Sequence, residues 1–464
     1  DLTAARAIAR AVIRPVSRRA VLGGAAAGFA LAAFAPRAGA FEPYPTGGSA
    51  MSNGLVDDPL VFVSIDPDGT VRLVAHRSEM GTGSRTSLPM VIADEMEADW
   101  SRVVIEQAPG DEPKYGNQNT DGSRSMRHHI QTMRQMGASV RHMLARAAAK
   151  RWGVEPSAVT VELHTVRGPD GRSAGFGDLA EEAMAEPVPP FEELSFKSED
   201  EFRYIGTGEV PITDMHDIVT GKAVYGADVM LEGMLTAVVA HPPVVGGKVV
   251  SHDASKARAV PGVEAVIELS GAALPGKFAP LGGVAVVATN TWAAIRGRQA
   301  LEIEWDHGPN ASYNTKEYRR QMEETAEKGG KVLRETGDVD GAFENADRVI
   351  TRSYYQDHMA QMPMEPPAAV ARWADGHMEV WAPAQSPYTL RKDIADDLGL
   401  MVEDVTVHVT LLGGGFGRKS KGDFATEAAR LARETGRPVR VQWTRDDDVR
   451  HSFYHTTSVE RIAA

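Results

Sequence analysis

Cysteine is absent from all 464 residues, so the chain offers no ligand set for an iron–sulfur cluster, no thiolate zinc site and no disulfide, whatever compartment it occupies. Any one-electron relay that serves it must sit elsewhere. Positive charge is also short: 50 Lys and Arg against 63 Asp and Glu leave a formal charge of -13, which repels nucleic acid and anionic membrane surfaces and favours a small ligand or another protein as partner. No fixed-period repeat occurs, which argues against a solenoid or propeller. The apolar run over residues 21–35 falls short of the roughly 20 residues of a full membrane span. With 42% hydrophobic and 24% charged residues, the composition is that of a globular chain with room for roughly two to four domains.

Residues 1–50 differ from the rest. Arg6, Arg10, Arg14, Arg18 and Arg19 precede the apolar run, which ends in small residues around Ala38-Gly39-Ala40. The pattern predicts an export signal, cleaved or retained as a membrane anchor, and Ser17-Arg18-Arg19-Ala20-Val21-Leu22 gives it a twin-arginine character. The expected location is periplasmic, by a route that carries folded, cofactor-loaded proteins. A first unit is predicted over 55–190. Residues 60–65 and 70–75 flank Asp66-Pro67-Asp68-Gly69 as a hairpin, and apolar residues spaced by three or four over 125–152 predict a long amphipathic helix. The acidic, proline-bearing stretch 186–201 reads as a linker. Val-rich runs at 235–240, 263–269 and 284–288 predict a small mixed α/β unit over 204–310, and a charged linker over 311–345 separates it from a last unit, 346–464.

That last unit carries the sharpest pattern. Val405, Val407, Val409 and Leu411 alternate as a strand does, and Leu412-Gly413-Gly414-Gly415-Phe416-Gly417-Arg418-Lys419 follows at once. A helix marked by Phe424, Ala428, Leu431 and Ala432 comes next. Strand, glycine loop and helix bring bare backbone N–H groups toward an anionic ligand. A Walker A loop fits poorly, because Arg418 stands where that motif needs Gly before Lys419-Ser420; a purely structural glycine turn stays open for the loop taken alone. Ser386-Pro387 opens another helix, and Gln385 just before it carries an amide able to donate and accept at the helix mouth, unless it is a plain loop residue. Glu365, in the rigid turn Met364-Glu365-Pro366-Pro367, reads as a buried acceptor or a surface charge.

Two further loops are candidates. Glu79-Met80-Gly81-Thr82-Gly83 interrupts a strand, and Thr120-Asp121-Gly122-Ser123-Arg124-Ser125 leads into the long helix, where hydroxyls and free N–H groups suit a pyrophosphate; ordinary serine capping is the alternative. His128-His129 gives no metal site, since adjacent histidines face different ways and lack an i, i+4 partner. Asp446-Asp447-Asp448 reads as a solvated loop or a helix cap. No metal-ligating side chain is assigned.

Together these segments resemble the molybdenum hydroxylases of the xanthine dehydrogenase and aldehyde oxidase type, closest to the isoquinoline oxidoreductase and aldehyde dehydrogenase large-subunit branch. The resemblance covers residues 60–464. It implies an α+β multi-domain fold in which molybdopterin-binding portions over 55–190 and 346–464 flank an α/β hammerhead domain over 204–310, with Thr220-Gly221-Lys222-Ala223-Val224-Tyr225-Gly226-Ala227-Asp228 inside it. Gly81, Thr82, Gly122, Ser123, Ser125, Gly414, Gly415, Phe416, Gly417 and Arg418 match cofactor-binding positions, and Gln385 matches the glutamine that approaches the metal's ligand. The implied cofactor is molybdopterin cytosine dinucleotide carrying molybdenum. The implied reaction hydroxylates an aldehyde or N-heteroaromatic with water as oxygen source, and electrons leave through 2Fe–2S clusters on an iron–sulfur small subunit, then pass to an acceptor such as a cytochrome c.

Two departures stand out. Thr82 replaces the glutamine usual in the Glu-Met-Gly-Gln-Gly loop, and the glycine-rich loop with the family's catalytic glutamate is not reached by Ala464. That glutamate is therefore expected on a second polypeptide or on a continuation of this one. A binding or scaffold subunit that keeps the cofactor fold without its chemistry is the alternative reading.

Overall fold

In the computed structural model, which describes Met51 and residues 53–464, the turn Asp66-Pro67-Asp68-Gly69 joins β1 (Val63–Ile65) to β2 (Val71–Ala75) in an antiparallel hairpin. Gly69 N–H donates to Asp66 O (2.8 Å), and the positive φ of Gly69, 87°, is the conformation for which the turn needs glycine. The first strand starts three residues later than expected. Asp58 accepts from Leu60 N–H and Pro59 stands at the first helical position, so Pro59–Phe62 folds as a helical turn instead. The export-signal reading of residues 1–50 lies outside the described residues.

Helix α1 (Ser84–Glu95) follows, then β3 (Val103–Gln107), parallel to β2. The long helix predicted from periodicity is α2 (Arg124–Trp152), ended by Gly153 in the left-handed region. Met133, Met136, Val140, Met143 and Leu144 of α2 share a buried core with Leu88, Val91 and Ile92 of α1. Where the two helices meet stands Gly137: an added Cβ there would lie 2.5 Å from Ile92 O and 2.6 Å from Glu95 Cβ. Backbone cannot yield as a side chain can, so Gly137→Ala is expected to destabilise the protein by about 1–3 kcal/mol, read as a lowered urea midpoint with unchanged slope. Strands β4 (Thr160–Glu162), β5 (Thr165–Arg167) and β6 (Ser173–Gly175) form a small antiparallel sheet before α3 (Phe176–Ala185). The stretch read as a linker packs instead: buried Lys197 reaches Asp94 (2.6 Å) and Glu97 (2.7 Å), and its carbonyl accepts from Arg134.

The chain divides into one unit of Asp1–Leu235 with Pro367–Gln442 and another of Thr236–Pro366 with Trp443–Ala464. In the second unit, β7 (Leu235–Ala240), β9 (Val263–Leu269) and β10 (Gly283–Ala288) pair antiparallel with β10 in the middle, while β8 (Lys248–Asp253) pairs with β11 (Glu302–Asp306). Helix α4 (Thr291–Gln299) is capped by Asn290. The charged stretch after residue 310 contains α5 (Thr315–Glu327), a solvated helix capped by Asn314 and lined by the i, i+4 pairs Arg319–Glu323 and Arg320–Glu324. Strand β12 (Thr351–Gln356) closes this part.

Back in the first unit, β13 (Ala368–Ala374) and β14 (His377–Ala382) form a hairpin, α6 (Pro387–Leu398) leads to β15 (Val405–Val409), parallel to β14, and α7 (Asp423–Thr435) leads to β16 (Val439–Gln442), antiparallel to β13. Glu379 on β14 accepts from Arg372 Nε (2.9 Å) and lies 3.3 Å from His408 Nε2. The hydrogen bond to His408, with Arg372 adding to it against the effect of burial, holds the carboxyl at about 2 instead of 4.5. A depressed carboxylate stabilises the fold above its unfolded value and loses that contribution as pH falls through the folded one. Glu379→Gln is thus expected to cost roughly 1–2 kcal/mol at neutral pH after solvent screening, and to flatten the acid limb of the stability profile between pH 4.5 and about 2.

The last residues rejoin the second unit. Helix α8 (Arg445–Arg450) opens on a capping box in which Thr444 and Asp447 bond reciprocally, and β17 (Ser458–Ala463) pairs with β12. Of the two readings of the triple aspartate, the helix cap is the one observed; Asp447 and Asp448 are buried.

Candidate functional site

Beyond β15 the backbone turns through the glycine loop with positive φ at Gly414 (86°), Phe416 (51°) and Gly417 (90°). A left-handed phenylalanine is strained, and this one holds its ring 63% exposed, so the loop is shaped for something other than its own packing. At Gly415 an added Cβ would lie 2.5 Å from Oε1 of Gln385. Gln385 is 1% exposed, with its backbone and both ends of its amide engaged: its N–H donates to Lys419 O, its carbonyl accepts from Thr120 N–H, its Nε2 donates to Thr120 O and its Oε1 accepts from Gly417 N–H, each at 2.9 Å.

One glutamine therefore joins the glycine loop to the loop that enters α2. The loop after β2 is tied to both: Ser78 Oγ donates to Ala384 O (2.6 Å), Ser78 N–H to Thr120 Oγ1 (3.0 Å), and Leu412 N–H to Glu79 O (3.0 Å). The predicted site residues of these three loops are thus gathered in one unit. Gly81, Thr82, Gly122, Ser123, Phe416 and Gly417 are exposed, and a Cβ added at Gly81 or Gly417 would meet no protein atom within 4 Å. Bare backbone faces open space there.

At the mouth of α2, Ser123 sits in the left-handed region and makes no side-chain cap bond, so ordinary serine capping does not account for it. Ser125 Oγ accepts from Arg77 Nε (3.2 Å). Arg77, 0% exposed, also donates to Asn117 O (2.9 Å) and Oδ1 (2.6 Å), while its Nη2 has no hydrogen-bond partner. Among the described residues no carboxylate bonds it, since nearby Asp121 is held by Arg124 Nε (2.8 Å). Burial pushes Arg77 down to about 10, which still leaves it charged at neutral pH. The neighbouring His76 and His129, ring centroids 4.9 Å apart, are kept neutral, His129 pushed to about 3 by burial with the Arg77 charge next in effect. A buried positive charge thus stands at the root of the loop without a neutralising anion in hydrogen-bond contact among the described residues, an arrangement that fits a bound phosphate or pyrophosphate. Arg77 was not legible as a site residue: a single arginine after a strand gives no sequence signal.

Two predicted contacts have other bonds. Glu79 accepts from the N–H groups of Gly81 (2.7 Å), Gly83 (3.0 Å) and Arg85 (3.1 Å), so this loop's amides are already engaged and a ligand would meet Gly81 and Thr82 through the Cα, the carbonyl or the Thr82 hydroxyl. Arg418 is fully buried and aims both terminal nitrogens at Asp423, 2.8 Å each, fixing the glycine loop to α7 from behind. His129 Nδ1 meets Ser125 O (3.0 Å), and among the described residues no third metal ligand stands with the His128-His129 pair.

Two families, each described as a molybdopterin cofactor-binding domain, match residues 26–239 and 323–459. The chain is 30% identical over 459 residues to isoquinoline 1-oxidoreductase subunit beta of Brevundimonas diminuta, covering 88% of this chain and 57% of that protein. It is 32% identical over 438 residues to a membrane-bound aldehyde dehydrogenase of Gluconacetobacter polyoxogenes, with 92% and 56% covered. Among solved structures, the aldehyde oxidoreductase of Desulfovibrio gigas aligns with 62% of this chain and 36% of its own at 20% identity and a TM-score of 0.43. The chain spans somewhat over half the length of the two curated relatives.

Proposed function

The chain belongs to the molybdenum hydroxylase family, and from that premise we propose that it is a large part of the catalytic subunit of an enzyme that oxidises an aldehyde or an N-heteroaromatic with water as oxygen source. The observation that carries the proposal is the joining of the glycine loop and the loop entering α2 at buried Gln385, with the loop after β2 tied to both through Ser78 and Leu412, beside the charge of Arg77. When bound, the molybdopterin cofactor supplies the two-electron oxidation of the substrate carbon.

The chain's own residues bind and orient. Gly122, Ser123 and Ser125 would receive a phosphate or pyrophosphate at the N-terminus of α2, with Arg77 adding charge from beneath, which suits a dinucleotide form of the cofactor; that its base is cytosine follows the family resemblance. Gly414, Gly415, Phe416 and Gly417 would border the pterin, with Gly81 and Thr82 on another side and Arg418 acting from behind through Asp423. Gln385, already bonded at both ends of its amide, keeps one N–H and a second lone pair with which to orient a ligand. The exposed Phe416 ring offers an apolar wall that excludes water from one side.

The substrate's two electrons leave singly through 2Fe–2S clusters on a separate small subunit, consistent with a chain without cysteine. A further segment supplies the catalytic glutamate, and export by the twin-arginine route places the complex in the periplasm. Purification with its partner polypeptides is expected to give about one molybdenum and one pterin cytosine dinucleotide per chain, with dye reduction by aldehydes or N-heterocycles. An active complex free of molybdenum would overturn the reading. A complex that holds the pterin but is inert toward both substrate classes would assign the chain a binding role instead.

A further inference from the structure

In the second unit, side chains from two stretches distant in sequence meet at a point that the proposed chemistry does not use. His241 follows the last residue of β7, Asp447 lies in the first turn of α8, and His451 is that helix's C-terminal cap residue. One ligand atom from each, two imidazole nitrogens and a carboxylate oxygen, lie within 4.8 Å of one another. His241 and Asp447 are buried and His451 half-buried; the two imidazole rings are 5.0 Å apart, and Trp443 packs on His241 at 4.7 Å.

We propose that His241, Asp447 and His451 form a binding site for a borderline transition cation of the Zn²⁺ or Co²⁺ class. Two imidazoles and a carboxylate are a donor set suited to such ions, and three protein ligands leave a fourth position for water or an exogenous group. Calcium and magnesium, which demand oxygen, are disfavoured. Capping of α8 and pairing with Arg298 explain the place of Asp447: its Oδ2 accepts from Thr444 N–H (2.8 Å), Thr444 Oγ1 (2.6 Å) and Arg298 Nη1 (2.7 Å). They do not require two imidazoles beside the same carboxylate. Oδ1 accepts from Arg298 Nη1 (2.8 Å), and an ionised carboxylate oxygen keeps a further lone pair for an ion. Arg298, itself donating to Val239 O (3.0 Å), fixes the carboxylate as outer partners of metal sites do, while its positive charge limits affinity.

The test uses the untagged full chain, stripped by chelator and titrated with Co²⁺ and then Zn²⁺. The expected result is one saturable equivalent whose X-ray absorption shows two imidazole ligands, displaced by Zn²⁺. His451→Gln and Asp447→Asn, the latter able to keep the helix cap, are each expected to weaken binding by at least about tenfold. Absence of saturable binding to the unaltered chain, a bound ion without imidazole ligation, or undiminished affinity in both variants would each overturn the proposal. Because the unaltered chain alone can return either of the first two results, the test stands even where a variant fails to fold.

Discussion

Gly415→Ala is expected to lower the molybdenum and pterin content of the purified protein by at least about tenfold while leaving most of its helical signal in place. The added Cβ falls 2.5 Å from Gln385 Oε1 and 2.8 Å from its Cδ. A free glutamine would swing aside. Gln385 cannot, because it is 1% exposed and its amide holds Thr120 O at one end and Gly417 N–H at the other. Displacing it leaves two groups unsatisfied, each costing about 1–3 kcal/mol, and the damage is confined to the loops that would hold the pterin. Metal analysis and pterin fluorescence read the loss, and circular dichroism shows that the rest persists. The interpretation requires non-additivity: in a Gln385→Ala background the methyl added by Gly415→Ala has no target, and the second change should add little. Full cofactor content in Gly415→Ala would refute the assignment of this loop to the cofactor.

The second large effect concerns stability. Asp423→Ala is expected to destabilise the first unit by about 3–5 kcal/mol, because fully buried Arg418 would lose the carboxylate that both of its terminal nitrogens engage. Replacing both members, as Arg418→Met with Asp423→Leu, should recover a large part of that loss, since a buried pair carries a desolvation cost that apolar side chains avoid. Urea unfolding measures both. The double variant also probes the loop: pterin loss from a protein restored in stability would show that the Arg418–Asp423 pair holds the glycine loop in the shape the ligand needs.

How much of this was legible depended on how local the physics is. The Asp66–Gly69 turn, the spacing of α2, the glycine that ends it and the Ser386-Pro387 helix start are written in neighbouring residues, and they form as read. Composition misleads where burial is decided at a distance. The acidic, proline-bearing stretch near residue 190 looks like a linker until Lys197 is seen between Asp94 and Glu97, carboxylates a hundred residues away. The charged stretch after residue 310 also reads as a linker, yet opposite charges four apart support a helix at the surface. At the site, glycines and serines announce open backbone, but nothing local shows that Glu79 binds the amides of its own loop, that Arg77 lies beneath Ser125, or that His241 meets Asp447 and His451.

The bridge made by Gln385 has a consequence for biogenesis. Its partner Thr120 is 265 positions away along the chain, so the proposed pterin cradle would close only after nearly the whole first unit has collapsed. A nascent or truncated polypeptide lacks the cradle altogether, and cofactor insertion must wait for a finished fold. If the chain is exported folded, as proposed, the export machinery would then be reading, indirectly, whether loading could have taken place.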